Sequence, residues 1–263
     1  MLPIFRSIWR KALPLSAVLA LASCASGPPP SPVAAWSNAG QLVLVTTAGW
    51  NANQGRLRRF ERDGDAWREV GTAAPITVGR NGSAWGIGLH PAQSGSPQGN
   101  GPEKREGDGR APAGVFAIGT VFGYADATAT AMPYQAMTAS DYCIDVNASP
   151  LYNRIVDAGV VGDDAVRDST EPMRRDLHAG GDQRYKLGFV IDHNPQNTPG
   201  AGSCIFAHLW KAPGEPTAGC TAMAEPVMQQ LLAWLRPERH PVFVLLPSAE
   251  YQRLQRDWRL PAP

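Results

Sequence analysis

The sequence predicts a mainly β fold, a β-rich sandwich or barrel with a few short helices. Glycine and proline, 27 and 24 of the 263 residues, are spread through the whole chain, which suits many turns and short strands better than a helical bundle. Apolar and β-branched runs of strand length recur between these turn residues. A helical period occurs near the C-terminus and predicts one amphipathic helix packed on the sheet.

The first part of the predicted sheet is a strand followed by a hairpin. Gln41–Thr47 has the β-branched composition and the length of a strand. Residues 56–62 and 67–70 flank an Asp-Gly-Asp turn, which is typical of a β-hairpin. A second series of strands and turns is predicted over 76–89.

Further strands and one helix complete the predicted core. The helix begins near Pro226, because proline is tolerated in a first helical turn, and its apolar residues share one face as far as Leu235. Pro237 ends it. The polar, glycine-rich segment 91–109 is predicted to be a surface loop. The predicted strands are 115–121, Leu187–Ile191, 205–210 and the apolar run 241–246.

Residues 1–23 predict a lipoprotein signal peptide. Three cations precede an apolar run, 12–22, that is too short to span a bilayer as a permanent helix. Leu-Ala-Ser-Cys at 21–24, which begins at the end of this run, resembles the bacterial lipobox, in which the cysteine, here Cys24, is acylated and becomes the first residue of the mature protein. An ordinary signal peptide cut near Ala25 is the alternative.

The remaining chain is predicted to be a tether and one domain. Residues 24–39 are rich in proline, serine, glycine and alanine without a period, which indicates a semi-extended tether. Residues 40–263 contain no internal repeat and are expected to form a single domain. We expect a periplasmic protein held on the outer membrane, because Ala25 after the lipidated cysteine resembles the sorting signal of outer-membrane lipoproteins. The formal charge is only +1 and no basic stripe carries aromatics, so nucleic acid is not an expected partner.

Cys220 is the candidate nucleophile. It lies on a predicted turn between a strand and the helix, where Gly219 lets the backbone turn sharply and successive amides can face an oxyanion. A small buried apolar residue is the alternative interpretation of an isolated cysteine. If Cys24 carries lipid, Cys143 and Cys204 are the natural candidates for a disulfide, although two separately buried thiols remain the alternative.

His208, twelve positions before Cys220, is the candidate base. If its segment is a strand, alternation places His208 on the same face as Cys204 and Phe206. A cysteine is mostly protonated at neutral pH, so a neighbouring imidazole that takes the proton favours the thiolate. A core histidine bonded to a backbone carbonyl is the alternative.

Zinc bound by Cys204, His208, Cys220 and His193 is the metal alternative. On a strand Cys204 and His208 lie about 13 Å apart, whereas zinc bonds are about 2.0 to 2.3 Å long. One ion cannot bind both, so we expect no metal and no cofactor. The other histidines are beside proline or glycine in predicted loops and are expected at the surface: His90, His178 and His240.

Two motifs resemble the L,D-transpeptidase (YkuD-like) catalytic domain, in a divergent branch with a Thr-Ala-Gly-Cys sequence. The active-site motif is Gly-Ser-Cys-Ile-Phe-Ala-His-Leu-Trp at 202–210, followed by Pro-Thr-Ala-Gly-Cys-Thr-Ala-Met at 216–223. Upstream, within 104–116, Gly-Asp-Gly and then Pro-Ala-Gly lead into a strand. The resemblance covers about residues 75–247 and leaves 40–74 as a β extension.

This resemblance implies a YkuD-like fold and a peptidoglycan-modifying cysteine acyltransferase. In the family, the cysteine attacks the carbonyl of a diaminopimelate residue in a peptidoglycan stem peptide, and the acyl-enzyme passes to an amine or to water. By position, Cys220 is the nucleophile, His208 the general base, and the Gly219 and Cys220 amides the oxyanion donors. The implied partners are stem peptides and, through the lipid anchor, a membrane; no cofactor is implied.

The chain departs from the family pattern at two positions. Many members have a histidine two residues before the cysteine and an arginine two residues after it, whereas this chain has Ala218 and Ala222. A missing arginine removes a bidentate grip on a substrate carboxylate. His193 is the fallback base if His208 points into the core. The alternative functions are a non-catalytic cell-wall-binding lipoprotein, an L,D-carboxypeptidase or hydrolase of wall peptides, and a cysteine peptidase that acts on proteins.

Overall fold

The computed structural model describes residues 35–93, 101–174, 176 and 181–262. Strands account for 36% of residues and helices for 15%, which confirms the predicted mainly β class. The strands are β1 (Gln41–Thr47), β2 (Gln54–Asp63), β3 (Ala66–Thr77), β4 (Ser83–Trp85), β5 (Ala111–Gly123), β6 (Tyr134–Ala136), β7 (Asp141–Cys143), β8 (Ile155–Asp157), β9 (Glu171–Pro172), β10 (Leu187–Ile191), β11 (Phe206–Leu209), β12 (Thr221–Met223) and β13 (Val242–Pro247). The α-helices are α1 (Ala158–Val161), α2 (Asp163–Val166), α3 (Glu225–Trp234) and α4 (Ser248–Leu254).

Eight of the strands close into a barrel. In hydrogen-bonding order they are β10, β11, β12, β3, β2, β1, β13 and β5, and β5 pairs in turn with β10. β4 and β6 add to this sheet by parallel pairing with β5. A separate three-stranded sheet has β7 between β8 and β9.

The parallel pair β1 and β13 forms the most deeply buried part of the barrel wall. Every residue of 42–45 is fully buried, and so is Val244 opposite Leu44. Because side chains alternate across a strand, burial of successive residues requires a cover on both faces. The barrel core covers one face, and α4 contacts both strands. The segment assigned to a β extension is therefore built into the barrel wall.

The predicted elements agree closely with the observed ones. The first strand and the strand Leu187–Ile191 have the predicted bounds. The predicted helix is α3, shifted by one residue, and the last predicted strand is β13. The hairpin is formed by β2 and β3, with Asp63 paired to Ala66 across its turn. Prediction works here because these segments have strong apolar periodicity or clear turn residues.

The tether ends earlier than predicted. Residues 1–34, which include the predicted signal peptide and Cys24, lie outside the described residues. Trp36 is only 4% exposed and packs edge-on against Trp258 at 5.6 Å between ring centroids. Its indole Nε1 donates to the Trp258 carbonyl at 3.4 Å. The aromatic ring thus fixes the last part of the predicted tether to the barrel. In the part of the chain that is described, we find no helix with the length and apolar content needed to cross a membrane.

The prediction of a surface position for His90 is wrong. His90 is 7% exposed, and its ring packs against Phe116 and Trp258. Its Nδ1 accepts the Val115 amide at 3.0 Å. Gly114 makes this possible, because its φ is +139° and a Cβ there would fall 1.9 Å from the imidazole Cε1. His240 is exposed, as predicted, and His178 lies outside the described residues.

The surface-loop prediction for 91–109 is wrong in part. Lys104 is only 8% exposed, and its Nζ donates to Asp108 Oδ1 at 2.7 Å and to the Arg105 carbonyl at 2.6 Å. A buried ammonium is tolerated because a carboxylate and a carbonyl satisfy it. Two of the charges that suggested a solvated loop, those of Lys104 and Asp108, are therefore paired with each other. Residues 94–100 lie outside the described residues.

Truncation of Leu44 tests whether β1 belongs to the core. We expect Leu44→Ala to lower the free energy of unfolding by about 2 to 5 kcal/mol, because the change leaves a cavity in the barrel wall. Urea unfolding measures this difference. Val160→Ala is the matched control, since Val160 is 82% exposed, and should change stability by less than about 0.5 kcal/mol. Equal, small effects of the two substitutions would contradict a structural role for β1.

Candidate active site

The candidate active site is built on the parallel pair β11 and β12. The register places His208 opposite Ala222 and Ala207 opposite Thr221. Cys220 comes directly before β12, at the end of the crossover that joins the two strands. Strand pairing therefore places the two residues on neighbouring strands, with the thiol two positions before the residue that pairs with His208.

The alternation predicted for β11 is confirmed. Odd and even positions enter different apolar clusters: Ile205, Ala207 and Leu209 are in the barrel core, whereas Cys204 and Phe206 join a second cluster that contains Cys220. The His208 ring packs edge-on against Tyr185 of this second cluster at 5.4 Å between centroids. The histidine therefore points toward the cysteine's cluster and away from the barrel core.

The Cys220 thiol is more enclosed than its position on a turn suggests. It is the free cysteine of the described residues and is 7% exposed. The Phe206 amide donates to its Sγ at 3.3 Å, and the thiol donates to the Cys204 carbonyl at 3.4 Å. Burial, followed by the negative charge of Glu171, raises the pKa of Cys220 to about 12. The thiol is therefore protonated in the resting protein at neutral pH.

His208 has the geometry of a neutral base. The imidazole is 4% exposed, and its Nδ1 lies 2.7 Å from the Leu209 carbonyl. A carbonyl only accepts, so Nδ1 carries the proton and Nε2 keeps its lone pair. Burial lowers the pKa of His208 to about 4. The ring is thus neutral at pH 7. The hydrogen bond to a backbone carbonyl, which the sequence offered as an alternative to a catalytic role, is present and sets the tautomer of the ring.

Small neighbours on both sides leave room for the imidazole. Across the sheet His208 pairs with Gly188 of β10 and with Ala222 of β12. A Cβ at Gly188 would fall 2.7 Å from the Phe122 ring. Ala222 is fully buried beside the histidine, so a longer side chain at this position would have to enter the site. Ala222 therefore lies within the His208 environment.

His208 and Cys220 line one cleft of about 180 Å³. This volume accommodates part of a peptide, such as one side chain and the adjacent carbonyl. Charged and polar groups of its wall come from three segments of the chain: Glu171, Arg184, Tyr185, Lys211, Glu215 and Thr217. A larger cleft of about 510 Å³ lies at Trp85 and Ala201 but is bordered by neither proposed catalytic side chain. The chemistry therefore favours the smaller cleft.

Glu171 and Tyr185 are cleft residues that the sequence does not predict. The Tyr185 hydroxyl forms a short hydrogen bond to Glu171 Oε1, and both side chains line the cleft. Burial raises the pKa of Glu171 to about 7, while the hydrogen bond from Tyr185 opposes the rise. No sequence signal marks them, because Glu171 is 49 positions before Cys220 (220 minus 171) and lies in a two-residue strand.

Cys143 and Cys204 form a disulfide with a Cα–Cα distance of 5.9 Å. Of the two arrangements left open by the sequence, the structure has the paired one. The bond connects β7 of the small sheet to the residue just before β11. Cys204 adopts φ +56°, and its carbonyl accepts the Cys220 thiol. The disulfide thus fixes the backbone that holds the sulfur of Cys220.

His193, the fallback base, is fully occupied elsewhere. It is 2% exposed, its Nδ1 accepts the Ile87 amide at 3.2 Å, and its Nε2 lies 2.9 Å from the Ala201 carbonyl. Burial lowers the pKa of His193 to about 4. Both ring nitrogens of His193 are hydrogen-bonded, so that the ring connects the segments of Ile87 and Ala201. His193 does not line the Cys220 cleft.

Gly219 takes part in the turn before the cysteine. Its amide donates to Thr217 Oγ1 at 3.1 Å, and the Thr217 hydroxyl donates to the Cys220 carbonyl at 2.7 Å. The turn is therefore held by a side chain within it. For the Gly219 amide to face an oxyanion, it must leave the threonine hydroxyl.

The zinc alternative lacks one of its proposed ligands. Within the described residues, no group of three or more histidine, cysteine, aspartate or glutamate side chains could hold a metal ion. Cys204, one member of the zinc alternative, is in a disulfide and cannot act as a thiolate ligand.

Comparison with known proteins identifies no relative. No family model matches the chain, and no curated protein or solved structure matches it either. The resemblance to L,D-transpeptidases therefore stays a prediction carried by two motifs.

Loss of the disulfide should be costly. The bond joins residues 61 positions apart, so removing it should lower the free energy of unfolding by about 4 kcal/mol through the entropy of the unfolded chain. Urea unfolding of wild type with and without reductant measures this, and a Cys143→Ser, Cys204→Ser double variant should be insensitive to reductant. Unchanged wild-type stability in reductant would contradict the bond.

Alkylation should report the protonated resting thiol. With its pKa near 12, Cys220 should react with iodoacetamide at pH 7 more slowly than in the denatured chain, and the rate should rise with pH beyond 9. Mass spectrometry of the Cys220 peptide measures the rate separately from the other cysteines. Native alkylation at pH 7 that is faster than denatured alkylation would contradict this description of the thiol.

Proposed function

We propose that this chain is a peptidoglycan-modifying cysteine acyltransferase of L,D-transpeptidase type. The observation that carries the proposal is that Cys220 and His208 line one cleft, with His208 Nε2 available as a proton acceptor. A thiol and a neutral imidazole in one cleft are the groups that nucleophilic acyl transfer requires. The two sequence motifs supply the substrate class, a peptidoglycan stem peptide.

Acylation would begin with transfer of the Cys220 proton to His208 Nε2 as the substrate carbonyl approaches. The sulfur attacks the carbonyl carbon of the diaminopimelate residue, and a carbon–sulfur bond forms. The following residue leaves as an amine, which takes the proton from His208 as the carbon–nitrogen bond breaks. The thioester then passes to an amine, which gives a cross-link, or to water. Because both groups are neutral at rest, charge develops only when a substrate fills the cleft.

Substrate carboxylates would be bound differently from the family's usual way. The arginine expected two positions after the cysteine is Ala222, but Arg184 and Lys211 line the same cleft from other segments. Arg184 is engaged by Asp182 through two of its nitrogens, whereas Lys211 is an exposed side chain. A lysine provides a point charge and not a bidentate fork, so recognition would depend less on carboxylate geometry.

A lipid anchor on Cys24 would place this activity in the periplasm. Several acyl chains, each contributing about 0.8 kcal/mol per buried methylene, hold a protein firmly on a membrane. The outer membrane is the proposed location, and stem peptides of the adjacent cell wall are the proposed partners. This part of the proposal depends on sequence alone.

A non-catalytic wall-binding lipoprotein is the second candidate function. The specific observation in its favour is the buried thiol, whose pKa is raised to about 12. A small buried cysteine could stabilise the cluster around Phe206 without reacting. An L,D-carboxypeptidase or hydrolase of wall peptides is the third candidate function. It differs from the proposed acyltransferase only in using water as the acceptor.

Muropeptide analysis separates these functions. Incubation of the protein with purified peptidoglycan should give new cross-linked or trimmed stem peptides, and Cys220→Ala should abolish them. His208→Asn, which keeps a similar shape, should slow product formation by about 10²- to 10⁴-fold.

The control for these variants is His240→Asn, which changes an exposed histidine outside the cleft and should act like wild type. Identical products from wild type and Cys220→Ala would favour the binding protein and exclude the acyltransferase.

A further inference from the structure

Glu171 is an acidic side chain in the cleft that the acylation step does not use. Its Oε1 accepts the Tyr185 hydroxyl, and Tyr185 in turn packs against the His208 ring at 5.4 Å. Oε2 takes no hydrogen bond from the residues that the structure describes. One carboxylate oxygen is therefore available to a ligand beside the proposed catalytic pair.

Glu171 is held in place by the backbone that also holds the thiol. In β9 it pairs with Cys143 of β7, and Ser169 Oγ bridges the Glu171 amide and the Cys143 carbonyl at 3.2 and 2.6 Å. Cys143 is joined by the disulfide to Cys204, whose carbonyl accepts the Cys220 thiol. Through this short covalent and hydrogen-bonded path, the position of the carboxyl group is fixed relative to the sulfur.

We propose that Glu171 is the subsite for the protonated amine of the acyl acceptor. This inference rests on the proposed function and specifies which acceptor the site selects. Amines of stem peptides are ammonium ions at neutral pH. A carboxylate oxygen that borders the cleft and is backed by a tyrosine hydroxyl is a suitable partner for an ammonium group, because a charge-assisted hydrogen bond is strong in a partly dry site. Water, the competing acceptor, carries no positive charge that would pair with this carboxylate.

The transfer step balances with the residues present. The ammonium gives one proton to Glu171 Oε2, and its nitrogen then attacks the thioester carbon. As the new carbon–nitrogen bond forms, the carbon–sulfur bond breaks, and His208 Nε2 carries the second amine proton to the leaving sulfur. Glu171 returns its proton to solvent, and Cys220 is regenerated as a thiol.

The pH dependence of acceptor binding follows from the groups around Glu171. It is faced by Tyr185, Arg184 and Asp182 of one segment, by Asp145 after β7, and by Cys220. Burial raises the pKa of Glu171 to about 7, so the carboxylate predominates above pH 7 and is lost as pH falls through it. His208, whose pKa is lowered to about 4, stays neutral over pH 6 to 8. The KM for an amine should therefore rise as pH falls from 8 to 6.

The test compares acylation with transfer in the full chain. A stem tetrapeptide is the donor and a diaminopimelate-containing stem tripeptide the amine acceptor, and the products are resolved by mass. We expect Glu171→Gln to form the Cys220 acyl-enzyme at least as fast as wild type, because burial and the Glu171 charge together raise the pKa of Cys220 and the substitution removes that charge. The KM for the acceptor should rise about 10- to 100-fold, so that hydrolysis replaces cross-linking, and its pH dependence between 6 and 8 should disappear.

Two variants keep the test decisive. Glu238→Gln removes an exposed carboxylate outside the cleft and should leave the acceptor KM unchanged. Tyr185→Phe keeps Glu171 but removes its donor, and should shift the pH midpoint of the KM upward. A Glu171→Gln variant with wild-type KM, or a wild type that acylates but transfers only to water, would overturn the amine subsite alone. A wild type that forms no acyl-enzyme would instead overturn the proposed function.

Discussion

The candidate site depends on the parallel pairing of β11 and β12. That pairing places His208 opposite Ala222, two residues after Cys220, although the histidine and the cysteine are separated by a crossover. β10 and β3 hold this pair on either side, and the barrel closes behind it. The hydrogen bonds of the ladder therefore fix the backbone of His208 relative to the strand that begins directly after Cys220. Flexible loops could not fix two residues this way.

Burial gives the site its electrostatic character. The low-dielectric cluster around Phe206 raises the pKa of the Cys220 thiol and lowers that of His208, so both are neutral before substrate arrives. The same environment makes any charge that forms there interact strongly with its neighbours. A substrate that brings its own charges, such as an ammonium or a carboxylate, can therefore alter the protonation of the site. Cys220 and His208, which are both neutral at rest, would therefore become reactive only when a substrate is bound in the cleft.

Much of the fold could be predicted from sequence, and less of the site. Strands with apolar runs, such as β1 and β13, and the helix α3 have local signals, and the alternation of β11 correctly separated Cys204 and Phe206 from the barrel core. The position of Glu171 in the cleft could not be predicted. Its strand has only two residues, and the disulfide beside it joins cysteines that are far apart in the sequence. The surface position predicted for His90 is wrong because its burial depends on Gly114, a glycine distant in sequence. The surface position predicted for Lys104 is wrong because its charge is paired with that of nearby Asp108.

The most direct test of the proposed chemistry is mass mapping of a trapped acyl-enzyme. The protein is mixed with a stem tetrapeptide, quenched in acid within the first turnover, and digested for peptide mass analysis. We expect a thioester adduct on the peptide that contains Cys220, formed in wild type and much more slowly in His208→Asn. An unmodified Cys220 under conditions in which the tetrapeptide is consumed, or an adduct on another residue, would contradict it.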